Sequence, residues 1–273
     1  YCKLIIFQII YYIFIIFKRM FMNNLLLSAP KVFGWQHLTF LAIFITLGIL
    51  SVILIKKYCK SENSIKIAIK IYSSVLLFFI LFNRISVAVK DNNFWHFIPN
   101  TFCGISSLAL AICGIFAKKD SPVFHLFVYN GLLGGLLTMI YPDFLGQNPS
   151  FFYPATISGI MHHTILFFLS ITIIVCKYMN PSLKKFKFLA LGLCIMMVYG
   201  QFLMSVGIYD SAMYINKPVM EGTIFTWYVT EIIYLALVFV SLLIVSLIQK
   251  KKEKSKIESN ETTLKTNDSL HQN

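Results

Sequence analysis

Charge is what this chain has least of. Only 13% of its 273 residues are Asp, Glu, Lys or Arg, about half the roughly 25% of soluble domains, while 58% are hydrophobic and 16% aromatic. That balance excludes a soluble globular protein and implies one that crosses a membrane many times. Acidic residues are scarcest, 11 against 24 Lys and Arg, yet the lysines sit in clusters between apolar runs. The net charge of +13 therefore reads as a topology signal and not as a face for nucleic acid. The six cysteines (2, 59, 103, 113, 176 and 194) form no C-x-x-C, which points to neither a disulfide framework nor a thiolate metal site. Most read as buried small hydrophobes. No internal repeat is apparent, which counts against an inverted-repeat transporter. No lysine occupies the last apolar run, which disfavours a retinal Schiff base.

What is there is a series of apolar runs long enough to span a bilayer, about 20 residues each. Breaks at charges, prolines and polar clusters give seven: roughly 35 to 55, 71 to 89, 97 to 117, 122 to 141, 154 to 176, 187 to 208 and 223 to 248. The expected architecture is an all-α membrane protein, a seven-transmembrane helix bundle over residues 20 to 250 with no room for a soluble domain. Seventeen lysines follow the odd-numbered spans, against Lys31, Lys90 and Lys217 on the other side. Basic residues favour the cytoplasm, so the reading is N-side out, C-terminus in, multi-pass in the cell membrane. Residues 251 to 273 are polar and lysine-rich and read as a disordered cytoplasmic tail. The apolar stretch 4 to 17 is only 14 residues long and shows no signal-peptide cleavage site. Residues 1 to 19 read either as an extension ahead of a start at Met20 or Met22, or as a short extra or interfacial helix.

Ionisable groups inside a bilayer are expensive and point to function by default. Measured from the outer end of each span, Arg84, Cys103, His162, His163, Gln201 and Glu231 all fall about 9 to 14 Å deep. One polar layer in the outer half follows. A packing network is the alternative, with Arg84 and Glu231 neutralising each other as a buried ion pair. On the third span Asn100, Cys103, Ser106 and Ser107 recur at i, i+3, i+6 and i+7, one helical face that looks inward. A cysteine needs a base to become a nucleophilic thiolate, and a histidine pair lies at comparable depth. His162 and His163 point about 100° apart on a helix, so one alone faces a given partner, and Gly159 leaves room one turn before His163. Adjacent histidines diverge and no carboxylate cluster joins them, so neither a metal nor a cofactor is expected. Gly131 and Gly135 have the spacing for close helix crossing. Trp35, His37, Trp95 and His96 lie where interfacial anchors are found, and His125 lies at the far end of the fourth span.

Several blocks together resemble the YwaF-like family of bacterial integral membrane proteins, related to a eukaryotic transmembrane phospholipid acyltransferase. They are FGWQH at 33 to 37, FIPNTFCGISSLAL at 97 to 110, YNGLLGGLLTMIYPDF at 129 to 144, MHHTILFF at 161 to 168 and YDSAMYINKP at 209 to 218. The resemblance implies a seven-helix fold and, by analogy with the eukaryotic branch, a cysteine and histidine pair carried here onto Cys103 and His163. Where that family often has histidine two residues before the cysteine, this chain has Thr101, which leaves His96 as the substitute. The expected chemistry is a thiol-dependent acyl transfer or hydrolysis with a membrane lipid as substrate. Arg84, Asn100, His162, Gln201 and Glu231 would bind that substrate. The alternative is a non-enzymatic carrier or receptor for a small molecule or anion, using the same layer. No nucleic-acid partner is expected, and nothing in the sequence names an oligomeric one.

Overall fold

The computed structural model describes residues 30–142, 144–218 and 222–270, with side chains through Lys251. Residues 1 to 19 lie outside them. Among the described residues seven α-helices follow in order: α1 Trp35–Tyr58, α2 Glu62–Lys90, α3 Phe102–Phe116, α4 Pro122–Ile140, α5 Pro154–Val175, α6 Phe186–Ser205 and α7 Trp227–Leu270. Among the described residues there is no strand. Six of the seven helices are long and apolar enough to cross a membrane. α4 and α5 each start with proline, whose fixed φ suits the first helical turn. α7 continues from its apolar stretch into the lysine-rich segment as far as Leu270.

α3 departs from the expected span at 97 to 117. It begins at Phe102 and has 15 residues, about 22 Å of helix against a hydrocarbon core of about 30 Å. Pro99 explains the late start, because the residue before a proline is pushed out of the helical region. Thr101 then caps the helix, its Oγ1 accepting from the Gly104 N–H at 3.1 Å.

The loops gather at two ends. At one, Lys119 pairs with Glu62 at 2.9 Å, and the Asp120 N–H donates to the Tyr178 carbonyl at 2.9 Å, joining the lysine-rich connections. At the other, the Asn100 carbonyl accepts from the Met213 N–H at 2.8 Å. His37, fully buried, takes the Phe33 N–H at Nδ1 and donates from Nε2 to the Met139 carbonyl at 2.9 Å. It latches the start of α1 to the end of α4 and is not an exposed anchor.

α5 is the axis of the bundle, buried along most of its length, whereas the apolar part of α7 is mostly exposed. Lipid tails give helices no hydrophobic reason to associate, so small residues that allow close approach decide the contacts. Gly48 of α1 faces the Phe168 ring, Gly114 of α3 faces Ser73, Gly131 of α4 faces Ser170 and Leu166, and Gly192 of α6 faces Leu126.

Candidate functional site

Residues 98–101 approach α3 as extended chain, and at membrane depth every exposed carbonyl needs a donor. Three consecutive carbonyls have one. That of Ile98 accepts from the Tyr209 hydroxyl at 2.7 Å, that of Pro99 from the Tyr199 hydroxyl at 3.2 Å, and that of Asn100 from the Met213 N–H at 2.8 Å. The Asn100 amide also donates to the Ser211 carbonyl at 3.4 Å. Asn100 thus ties down the 209–213 loop from outside the helix. Cys103 becomes the second residue of α3, at the positive end of its dipole.

The two adjacent glycines of α4 set the level of the polar residues. A Cβ on Gly134 would lie 2.5 Å from the Cys103 sulfur, and one on Gly135 would lie 2.9 Å from the His163 carbonyl. The Cys103 sulfur and the His163 backbone carbonyl therefore lie beside adjacent residues of α4, on directions about 100° apart, although Cys103 is one residue into its helix and His163 nine into its own. Ser106 and Ser107 are fully buried, so the hydroxyl face of α3 does look inward. The histidine that reaches it is His162, whose Nδ1 shares a hydrogen bond with Ser107 Oγ at 3.1 Å. The two imidazoles lie 4.1 Å apart between centroids, and His163 stacks against Phe144 at 6.4 Å. His163 Nδ1 is buried with no hydrogen-bond partner among the described residues. Gly159 faces Phe144 and the Asn83 amide, at 3.0 and 3.4 Å from where its Cβ would be.

Arg84 is held from α2 by its neighbour. Asn83 Oδ1 accepts from Arg84 Nη2 at 2.9 Å and Nε at 3.3 Å, while its amide nitrogen donates to the Ala155 carbonyl at 3.0 Å and Ser158 Oγ at 3.2 Å. The expected Arg84–Glu231 ion pair is absent among the described residues: Glu231 Oε1 is buried without a hydrogen-bond partner, and the Arg84 guanidinium donates to Asn83 Oδ1. The reason is azimuth, since equal depth does not bring α2 and α7 face to face. Gln201 is exposed on α6 and stands outside the layer. His96 pairs with Asp91 at 2.6 Å and stacks on Tyr209 at 5.0 Å and 11°. Burial pushes the Tyr209 phenol up to about 12 against the pull of Arg84. Asn83, Tyr199 and Tyr209 escaped the sequence reading. A neutral amide beside the one arginine of an apolar run was the available signal for Asn83.

A second polar cluster closes the opposite end. Asp120 binds Lys185 and the Asn180 N–H, and accepts from His125 Nε2 at 3.2 Å. Among the described residues no three His, Cys, Asp or Glu gather as a metal site. Cys103, Cys113, Cys176 and Cys194 are free thiols, whereas Cys59 is disulfide-bonded, a pairing its spacing did not signal.

Among known proteins, the model of the TMEM164 family matches residues 32–250. No curated protein and no solved structure matches the chain.

Proposed function

The chain belongs to the TMEM164 family of transmembrane proteins, and from that premise we propose that it transfers or hydrolyses an acyl group of a membrane lipid, with Cys103 as nucleophile and His163 as base. The observation that supports this reading is the Gly134–Gly135 step, beside which lie the Cys103 sulfur and the His163 backbone carbonyl. The resemblance to the YwaF-like family and its eukaryotic acyltransferase relative points the same way, and the cell membrane is its expected location.

His163 takes the thiol proton, and the thiolate attacks the ester carbonyl carbon. The lipid alkoxide leaves with the proton returned by His163, and a thioester remains on Cys103. A lysolipid hydroxyl or water then gives its proton to His163, attacks the thioester and restores the thiol. The start of α3 faces the developing oxyanion with its helix dipole. His162 holds α3 through Ser107. Arg84, preorganised by Asn83, offers charged donors to a lipid phosphate.

The rival is a carrier that binds an anion at Arg84 without covalent chemistry, favoured by the absence of a carboxylate within ion-pair distance of that guanidinium among the described residues. Lipid profiles of cells carrying wild type or Cys103→Ala at equal expression separate the two. The acyl reading expects altered acyl composition, and unchanged profiles in cells where Arg84→Gln still alters anion uptake would favour the carrier.

A further inference from the structure

Both ring nitrogens of His37 meet backbone groups of fixed character. Nδ1 lies 3.1 Å from the Phe33 amide, which can only donate, and Nε2 lies 2.9 Å from the Met139 carbonyl, which can only accept. Together these contacts fix the tautomer: a neutral ring with its proton on Nε2. A second proton has no place in this arrangement. An N–H at Nδ1 would point at the Phe33 N–H, and the ring is fully buried, so the new charge would have neither an acceptor nor solvent.

What the ring holds is a strap. Residues 30–34 lie against the connection between α4 and α5: the Phe33 ring packs on that of Tyr141 at 6.5 Å, and the Pro30 carbonyl lies 4.0 Å from where a Cβ on Gly146 would be. The same connection carries Phe144, whose ring stacks on His163. Within the strap the Gly34 N–H donates to the Lys31 carbonyl at 2.9 Å, and Phe33 has a φ of 60°. That is the left-handed region, which a residue with a side chain enters only at a cost. The bond from Phe33 to His37 offsets the cost, and losing it lets the turn relax.

We propose that His37 is an acid-released latch: the neutral ring straps residues 30–34 to the α4–α5 connection, and proton uptake at Nδ1 frees the strap and the loop that carries Phe144. The proton comes from water while the strap is momentarily open and returns to water as pH rises, so one N–H bond forms and breaks. A solvated imidazole takes up its proton at about pH 6.5. The open strap therefore binds a proton in mild acid and the latched strap does not, so latching is favoured above that pH and weakens below it, by about tenfold per unit. Among the described residues no ion pair reaches His37. The titratable groups beside the latch are Tyr141, against Phe33, and Lys31, within the strap. Release needs no acyl transfer.

Amide hydrogen exchange of the intact protein in lipid nanodiscs tests the latch, read at single residues by mass spectrometry and divided by the rate of an unstructured chain at each pH. Protection of the Phe33 amide should fall about tenfold from pH 7.5 to pH 5.5, while the amide of Phe44, two turns deeper in α1, should keep its protection. His37→Asn puts an amide oxygen near the place of Nδ1 and takes up no proton, so its Phe33 amide should be equally protected at both pH values. In His37→Phe, which has no acceptor, that amide should be unprotected at both. Wild-type protection that does not change with pH overturns the latch, as does the same tenfold loss in His37→Asn. The wild-type comparison decides alone if either variant fails to assemble, and neither result depends on Cys103.

Discussion

Two tyrosine hydroxyls hold the extended chain that delivers Cys103. Tyr209→Phe removes the donor to the Ile98 carbonyl and Tyr199→Phe the donor to that of Pro99, and losing a hydrogen bond at a half-buried acceptor costs about 0.5 to 1.5 kcal/mol. Each variant should melt earlier in detergent, and Cys103 should lose any alkylation advantage over Cys113, ten residues deeper on the same helix. Unaltered melting and labelling would show that residues 98–101 support themselves. Gly134→Ala acts on the sulfur directly: its methyl would lie 2.5 Å from Sγ, so the thiol must rotate away. Slower labelling of Cys103 with little loss of stability is expected, read by mass spectrometry. At this scale the inward face of Ser106 and Ser107 was legible from spacing alone. The place of Gln201 and the partners of Arg84 and Glu231 were not, because periodicity relates residues within a helix and says nothing of the neighbour a face meets.

Between elements, glycine placement decides how closely helices approach. Gly48→Ala would put a methyl 2.2 Å from the ring of Phe168, itself 3% exposed, and such overpacking costs about 1 to 3 kcal/mol. A lowered melting temperature is expected, and an unchanged one would mean that α1 slides freely on α5. Asp120 joins the α3–α4 and α5–α6 connections. Burial pushes its carboxyl up, but the hydrogen bonds from Lys185, the Asn180 N–H and His125, with the Lys185 charge, outweigh this and hold it below the ordinary carboxylate range. A depressed carboxyl contributes stability above its unfolded pKa of about 3.9 and loses it as pH falls through the folded value. Asp120's contribution should therefore be constant near neutrality and vanish in acid below pH 4, and Asp120→Asn should melt earlier at pH 7 while matching wild type at the acid limit. A constant gap at every pH would exclude the ionised latch.

For the whole molecule, sidedness is the testable property. The lysine-rich connections are bonded to one another at one end, and basic residues favour the cytoplasm. A single cysteine at the exposed Pro149 should react with an impermeant reagent on intact cells, and one at the exposed Lys251 only after lysis. The reverse pattern would invert the topology and with it the direction of every depth.

The amino-acid sequence by itself determined the all-helical, multi-pass class and which connections share a face. Those follow from run length, scarcity of charge and lysine position, which are local quantities that the bilayer reads one segment at a time. Only the tertiary structure decided that the Cys103 sulfur and the His163 backbone carbonyl lie beside the Gly134–Gly135 step, and that Arg84 turns to Asn83 and not to Glu231. Those outcomes depend on the rotation of each helix about its own axis. In a bilayer that rotation is set by where small side chains let backbones touch and where buried polar atoms find partners, and both involve residues distant in the chain.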